Sequence, residues 1–153
     1  MEKRSSIKII VQNKKARFLY AILETIEAGL SLLGPEIKSI RAGKVSLSDS
    51  YAKILGGELW LINCYIAPYE KMGRTFEAID PRRQRKLLIK KEELKHLIGK
   101  IQKGLTLIPL KLYLKRGKAK VEIAVARGKK TFDKRRTIKE RDEKRQLARE
   151  LKY

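Results

Sequence analysis

A chain of 153 residues, 42% of them hydrophobic, is long enough for one domain with a real core and too short for several. Its 38 Lys and Arg stand against 17 Asp and Glu, a net charge of +21 that makes a polyanion the expected partner. One cysteine and one histidine exclude a disulfide framework and a Cys/His zinc site, and the longest apolar run, Leu59 to Ile62, is far too short to cross a bilayer.

The N-terminal residues offer no sufficient apolar segment for export, so a cytoplasmic protein without a membrane partner is expected. Ile7 to Val11 is β-like and is followed by a basic elbow, Asn13-Lys14-Lys15-Ala16-Arg17. From Phe18 to Leu32 the even positions are apolar except Glu24, a period of two that predicts one long strand with a single buried face. Glu27 and Gly29 fall on its other face, and Gly29 is the expected site of a bend or bulge.

Gly34-Pro35 opens a predicted short helix whose apolar contacts are Ile37 and Ile40, with Gly43 as its stop. Two β-rich runs, Ser50 to Leu55 and Glu58 to Ala67, meet across Gly56-Gly57 and predict a hairpin ended by Pro68. Residues 69–85 have no clear period and finish in a basic loop, Asp80-Pro81-Arg82-Arg83-Gln84-Arg85. A second helix is predicted from Lys91 to Lys103, with Leu94, Leu97, Ile98 and Ile101 as its apolar stripe. Leu105 to Leu114, with Pro109 at an edge or bulge, turns at Arg116-Gly117 into Ala119 to Ala126. In that last strand Ala119, Val121, Ile123 and Val125 face one way; Lys120, Glu122, Ala124 and Ala126 face the other.

The segment from Arg127 to Tyr153 carries twelve Lys or Arg against five Asp or Glu, a local net of +7, and too few apolar side chains for a core. Thr137 and Glu140 read as a capping box opening a helix. Arg141, Arg145 and Arg149 then fall on one face, where like charges repel until an anion arrives. A tail that serves only solubility is the plainer alternative.

Together these predict a mainly β fold: a closed antiparallel barrel of five to six strands, OB-fold-like, with two to three helices and a disordered basic C-terminal tail. An SH3-like barrel or an open α+β sheet also fits the pattern. Residues 1–130 form the expected barrel and 131–153 the tail.

Catalytic signatures are missing: the carboxylates are scattered, and no DxD, HxxxH, GxSxG or phosphate-binding loop appears. Cys64 in a strand-like run and His96 in a helix-like one read as packing residues. No enzymatic activity and no cofactor are expected. The basic clusters flank strand and helix ends, where they can grip phosphate without reading sequence. Recognition of a folded RNA by shape suits so few aromatic platforms.

Seven stretches, in order, resemble small protein B, the SsrA-binding (tmRNA-binding) protein family of bacteria. They are Asn13 to Arg17, Glu27-Ala28-Gly29-Leu30, Glu36 to Lys44, Asp49-Ser50-Tyr51, Asp80 to Leu88, Gly128-Lys129-Lys130 and Asp133-Lys134-Arg135. Departures are Pro35 and a longer 69–79 loop. The resemblance implies an OB-fold-like barrel that binds the tRNA-like domain of tmRNA and enters stalled ribosomes for trans-translation. It implies a monomer acting with elongation factor Tu, and a tail lying in the empty mRNA path near the 16S rRNA decoding region. Carried over by position, Asn13, Glu27, Leu88 and Lys120 are RNA-binding, joined by Lys14, Arg17, Arg41, Lys44 and Lys129 from the basic clusters. Asp133, Lys134, Arg135, Arg141 and Arg145 are the ribosome-interacting tail residues.

Glu27 outward on a strand has little structural reason there and can accept base N–H groups. Leu88 is either core or an apolar contact for an unstacked base, and Asn13 either an RNA contact or a turn residue. A structural ribosomal protein with an rRNA-embedded tail is the rival reading, and a metal-dependent nuclease a third.

Overall fold

The computed structural model describes residues 7–69, 79–129 and 131–150; most of the longer 69–79 loop, and Lys130, lie outside them. Among the described residues, nine strands and four helices follow in the order β1 (Ile7–Gln12), α1 (Ala16–Leu19), β2 (Tyr20–Leu30), α2 (Gly34–Arg41), β3 (Val45–Ser46), β4 (Tyr51–Leu55), β5 (Glu58–Ile62), β6 (Tyr65–Ile66), β7 (Arg85–Leu88), α3 (Lys91–Gln102), β8 (Thr106–Lys115), β9 (Lys118–Gly128) and α4 (Thr131–Glu150).

The fold is mainly β. Seven strands form one sheet in the order β1-β8-β4-β5-β7-β2-β9, and β9 pairs with β8 as well as with β2. β3 and β6 make a separate two-stranded pair. All pairings are antiparallel, as tight turns between neighbouring strands allow. The β4–β5 turn has both glycines at positive φ, 59° at Gly56 and 75° at Gly57, a conformation that suits the twist of a two-residue hairpin. α2, its stop at Gly43 (φ 76°), and α3 also lie where the periodicity puts them.

One core holds the inner face: Ala28, Leu30, Leu59, Leu61, Leu87, Leu107, Leu112, Val121, Ile123 and Val125 from the sheet, with Ile40 of α2 and Leu97 of α3 packed onto it. A second, smaller cluster lies on the outer face, where Ala16 of α1 covers Ile108, Leu110, Ala124 and Ala126.

Two bulges create that division. The β2–β9 register shifts between Ile22 and Glu24, and the β8–β9 register between Pro109 and Lys111. A bulge inserts one residue and exchanges the faces of the residues beyond it. Tyr20 and Ile22 therefore pack in the outer cluster, whereas Ile26, Ala28 and Leu30 point into the main core. The even-numbered period predicted across 18–32 is thus two half-faces joined at Leu23, which is 53% exposed. The bulge is at Leu23 and not at Gly29, whose pairing is regular on both sides.

Four further boundaries differ from expectation. Phe18 and Leu19 belong to α1, a single turn hidden inside an alternating pattern too short to distinguish the two. The predicted run from Glu58 to Ala67 breaks at Asn63, whose φ of 61° diverts the chain into the second sheet. β7 occupies the end of the predicted basic loop; only four residues, half of them cationic, form it, too few to show a period. α4 starts at Thr131, so position 137, expected to open the helix, lies in its interior. The main sheet consequently has seven strands instead of five or six.

Candidate nucleic-acid interface

Beyond the bulges, the outer face of β7, β2, β9 and β8 carries the charged residues Glu27, Lys111, Lys120 and Glu122. Register places Leu88, Gly29, Lys120 and Tyr113 in one row across these four strands. Glu27, Glu122 and Lys111 form the next row. Three of the sequence-predicted residues, Glu27, Leu88 and Lys120, are therefore brought together. Leu88 is 53% exposed, so the core alternative for it falls away. Gly29 sits between them for a steric reason. A Cβ there would lie 3.3 Å from Cβ of Leu88, a tight approach, and in ordinary contact at 3.6 Å with Nζ of Lys120, so the bare backbone gives the two side chains room to converge.

Glu27 is held from below. The phenol of Tyr113, itself 4% exposed, donates to Oε2, and Nζ of Lys115 lies 3.5 Å from Oε1. The Tyr113 hydrogen bond, aided by Lys115 and Lys120, keeps the Glu27 carboxyl below its ordinary value despite some desolvation. Burial, and then the Glu27 carboxylate, push the Tyr113 phenol well up. The carboxylate is thus ionised, oriented and open to solvent among cations. Glu27 does have structural partners, which the sequence pattern does not reveal. Lys111 spreads over the Tyr113 ring, 5.7 Å from its centroid, and reaches Glu122 at 3.3 Å. A cleft of about 400 Å³ beside Glu27 is walled by Lys115, Arg116, Lys118 and Lys120.

Asn13, Lys14 and Arg17 line a neighbouring cleft with Lys111 and Glu122, continuous with this face. Asn13 is a structural pin as well: its Nδ2 donates to the Pro109 carbonyl at 3.1 Å and its backbone N–H to Leu110 at 2.7 Å, fixing the elbow against the β8 bulge. Lys129 anchors the exit of the tail, with its backbone N–H on Leu19 and its ammonium on the Arg17 carbonyl, both at 2.9 Å. Arg41 and Lys44 belong to a different neighbourhood, the end of α2 and the turn leading into β3. In α4, Arg135, Arg141 and Arg145 are exposed, as is every side chain described in that helix. Asp133 and Lys134 lie in its first turn.

The basic loop Asp80 to Arg85 conceals the feature that sequence reasoning missed. Glu36 of α2 is 3% exposed and Arg85 is fully buried. Nε of Arg85 donates to Glu36 Oε2 at 2.7 Å; its Nη1 reaches the Cys64 carbonyl at 2.6 Å and its Nη2 the Pro81 carbonyl at 3.0 Å. Arg83 grips both oxygens of Glu36, and the Leu33 N–H adds a bond at 2.9 Å. Burial alone would raise the Glu36 carboxyl; the Arg83, Leu33 and Arg85 donors outweigh it and hold the group low. The one available signal was parity, since Arg85 shares its strand face with the core residue Leu87. These arginines secure β7, and hence the base of Leu88.

Cys64 is buried with its thiol pushed up to about 11 by desolvation, and His96 is exposed on α3 beside Glu24. They form no nucleophile pair. Among the described residues no group of three or more His, Cys, Asp or Glu is placed to hold a metal, and no helix is long and apolar enough to cross a membrane.

A family model described as SmpB protein matches residues 10–153. The chain belongs to the SmpB family. It is 54% identical over 152 residues to the SsrA-binding protein of Trichormus variabilis, covering 99% of this chain and 97% of that protein. The SsrA-binding protein of Caldicellulosiruptor saccharolyticus is 54% identical over 151 residues, covering 98% of this chain and 94% of the other. A solved chain described as "tmRNA-SmpB: a journey to the center of the bacterial ribosome" superposes with a TM-score of 0.65 at 56% identity, covering 79% of this chain and 85% of that one.

Proposed function

We propose that this protein binds the tRNA-like domain of tmRNA (SsrA RNA) and carries it into stalled ribosomes for trans-translation. The observation that carries this reading is the presence of two separate cationic surfaces: an uncovered sheet face holding Glu27, Leu88 and Lys120, and an exposed helix, α4. Membership of the SmpB family, and the tmRNA and ribosome named for its solved relative, support assigning one surface to each RNA.

On this reading the sheet closes into an OB-fold-like barrel through the β8–β9 pairing, forming with residues 1–130 the RNA-gripping body. Asn13, Lys14, Arg17 and Lys129 extend its phosphate contacts, and Arg41 and Lys44 supply a second cationic side. Residues 131–153 are the arm. Every described α4 side chain is exposed, and a helix with like charges at four-residue spacing is marginal in water by itself. It orders in the vacant mRNA channel, where Asp133, Lys134, Arg135, Arg141 and Arg145 meet 16S rRNA. The protein works as a cytoplasmic monomer, by binding and without chemistry of its own, in a complex that includes elongation factor Tu.

Deleting residues 131–153 tests the division. Affinity for the isolated tRNA-like domain should change little, while peptide tagging on stalled ribosomes in a reconstituted system is lost. Collapse of the affinity overturns the assignment.

A further inference from the structure

The seam between β4 and β8 is the least closed in the main sheet. Its register holds one pair, Ala52 with Leu107, whereas β4 pairs with β5 along its whole length from Tyr51 to Leu55. Beyond that pair the strands part, and a cleft of about 440 Å³ opens between the edge of β4 and the last turns of α3. Ile54, Ile98, Ile101 and Leu105 form its wall, each only partly buried. Ile54, Ile101 and Leu105 also touch the main core, whereas Ile98, in the same helical stripe as Ile101, lines the cleft without doing so.

The backbone of β4 is open on the same side. In a two-residue hairpin the flanking pair, here Leu55 and Glu58, exchanges hydrogen bonds, and alternation turns the polar groups of Ala52 and Ile54 away from β5. Ala52 meets β8; beside Ile54, among the described residues, no strand is paired on that side. A strand edge of this kind is a template for another strand. Charge narrows the occupant. Lys53 is the only charged side chain lining the cleft, and the chain as a whole carries +21. Aliphatic walls with a single ammonium give a phosphate backbone little to grip, which disfavours RNA here. A second copy is a poor occupant, because both would carry the same large positive charge.

We propose that this cleft docks an extended segment of an acidic partner protein, which adds a short strand beside Ile54. Alternate side chains of that segment are apolar and face Ile98, Ile101 and Leu105; the intervening ones are acidic and face Lys53. The cleft shares no lining residue with the one beside Glu27. The open edge is short, so the complex is weak and transient.

The test titrates the full-length chain, labelled at isoleucine methyl groups for NMR, with a short synthetic peptide alternating valine and glutamate. The methyls of Ile54, Ile98 and Ile101 should shift and saturate, while those of Ile7 and Ile9, exposed on β1, stay in place. Methylating the central backbone nitrogen of the peptide should weaken binding severalfold, since it removes a donor to β4. A peptide alternating valine and lysine should bind less well. Lys53→Glu should cut that preference severalfold, and Lys8→Glu, on β1, should not. Ile98→Gln, shown by its melting curve to be folded, should lose most of the peptide affinity and keep its affinity for the tRNA-like RNA. Equal binding of the two peptides, no shift at the three cleft isoleucines, or the same shifts on concentrating the protein without peptide (a second copy) would overturn the proposal. So would a parallel loss of peptide and RNA affinity in Ile98→Gln, which would make the cleft an RNA contact.

Discussion

Glu27 and Glu36 are both glutamates gripped by cations, and they do opposite jobs. Glu36 is sealed under α2, where Arg83, Arg85 and the Leu33 N–H satisfy it, and its bonds tie a helix to β7. Glu27 stands on an open sheet face with 39% of its side chain exposed and its acceptors only partly used. A buried ion pair is a structural commitment, because losing either partner strands a charge in the core. An exposed one contributes little, so its retention asks for a ligand. On the proposed reading, solvent access, more than residue type, separates scaffold from site.

The largest effect should come from breaking the buried side. Glu36→Ala leaves Arg85 unpaired and should lower stability by about 3–5 kcal/mol in urea denaturation. Adding Arg85→Met should recover much of that loss by removing the stranded charge; a double variant as unstable as the single one would show that Arg85 matters through its carbonyl bonds alone. The pH dependence has a defined sign. Glu36 is lower in the folded state than its ordinary value of 4.5, so its contribution is complete above that pH and is withdrawn as the pH falls through the folded value. Acid unfolding of Glu36→Ala should accordingly be flatter in that range than that of the native protein.

On the open side the pattern should invert. Glu27→Gln should leave stability within about 0.5 kcal/mol of native, while affinity for the tRNA-like RNA drops about tenfold. Equal losses of stability in the two glutamate variants would erase the distinction. Gly29→Ala should be milder: its methyl group meets Leu88 at 3.3 Å, displacing it by a few tenths of an ångström. RNA affinity should fall severalfold at nearly unchanged melting temperature. The smallest effect is a reporter. Cys64, buried and with its thiol pushed up to about 11, should resist alkylation at pH 8 in the native protein and in Glu27→Gln, and react faster only in Glu36→Ala.

Much of the fold was legible because local rules produced it. The Gly56-Gly57 hairpin, α2 between Pro35 and Gly43, α3 and the bulge at Pro109 each announce themselves within a few residues. β7 and α1 did not, since four residues carry too little periodicity to declare their state. The outward placement of Glu27 and Lys120 followed from alternation. Neither the use of Tyr113 to hold Glu27 nor that of Arg83 and Arg85 to hold Glu36 had a local signal, because those partners are 86, 47 and 49 residues apart.

Composition and order alone thus determined a basic, mainly β RNA-binding chain, its family and the cationic arm, for these depend on charge, turn chemistry and motif register. Tertiary structure decided which cations face solvent and which are consumed inside. It set the bulges that transfer Tyr20 and Ile22 to the outer face, and it brought Leu88, Gly29 and Lys120 into one row. Such outcomes depend on cross-strand register and burial, which are properties of distant residues meeting, and no stretch of sequence contains them by itself.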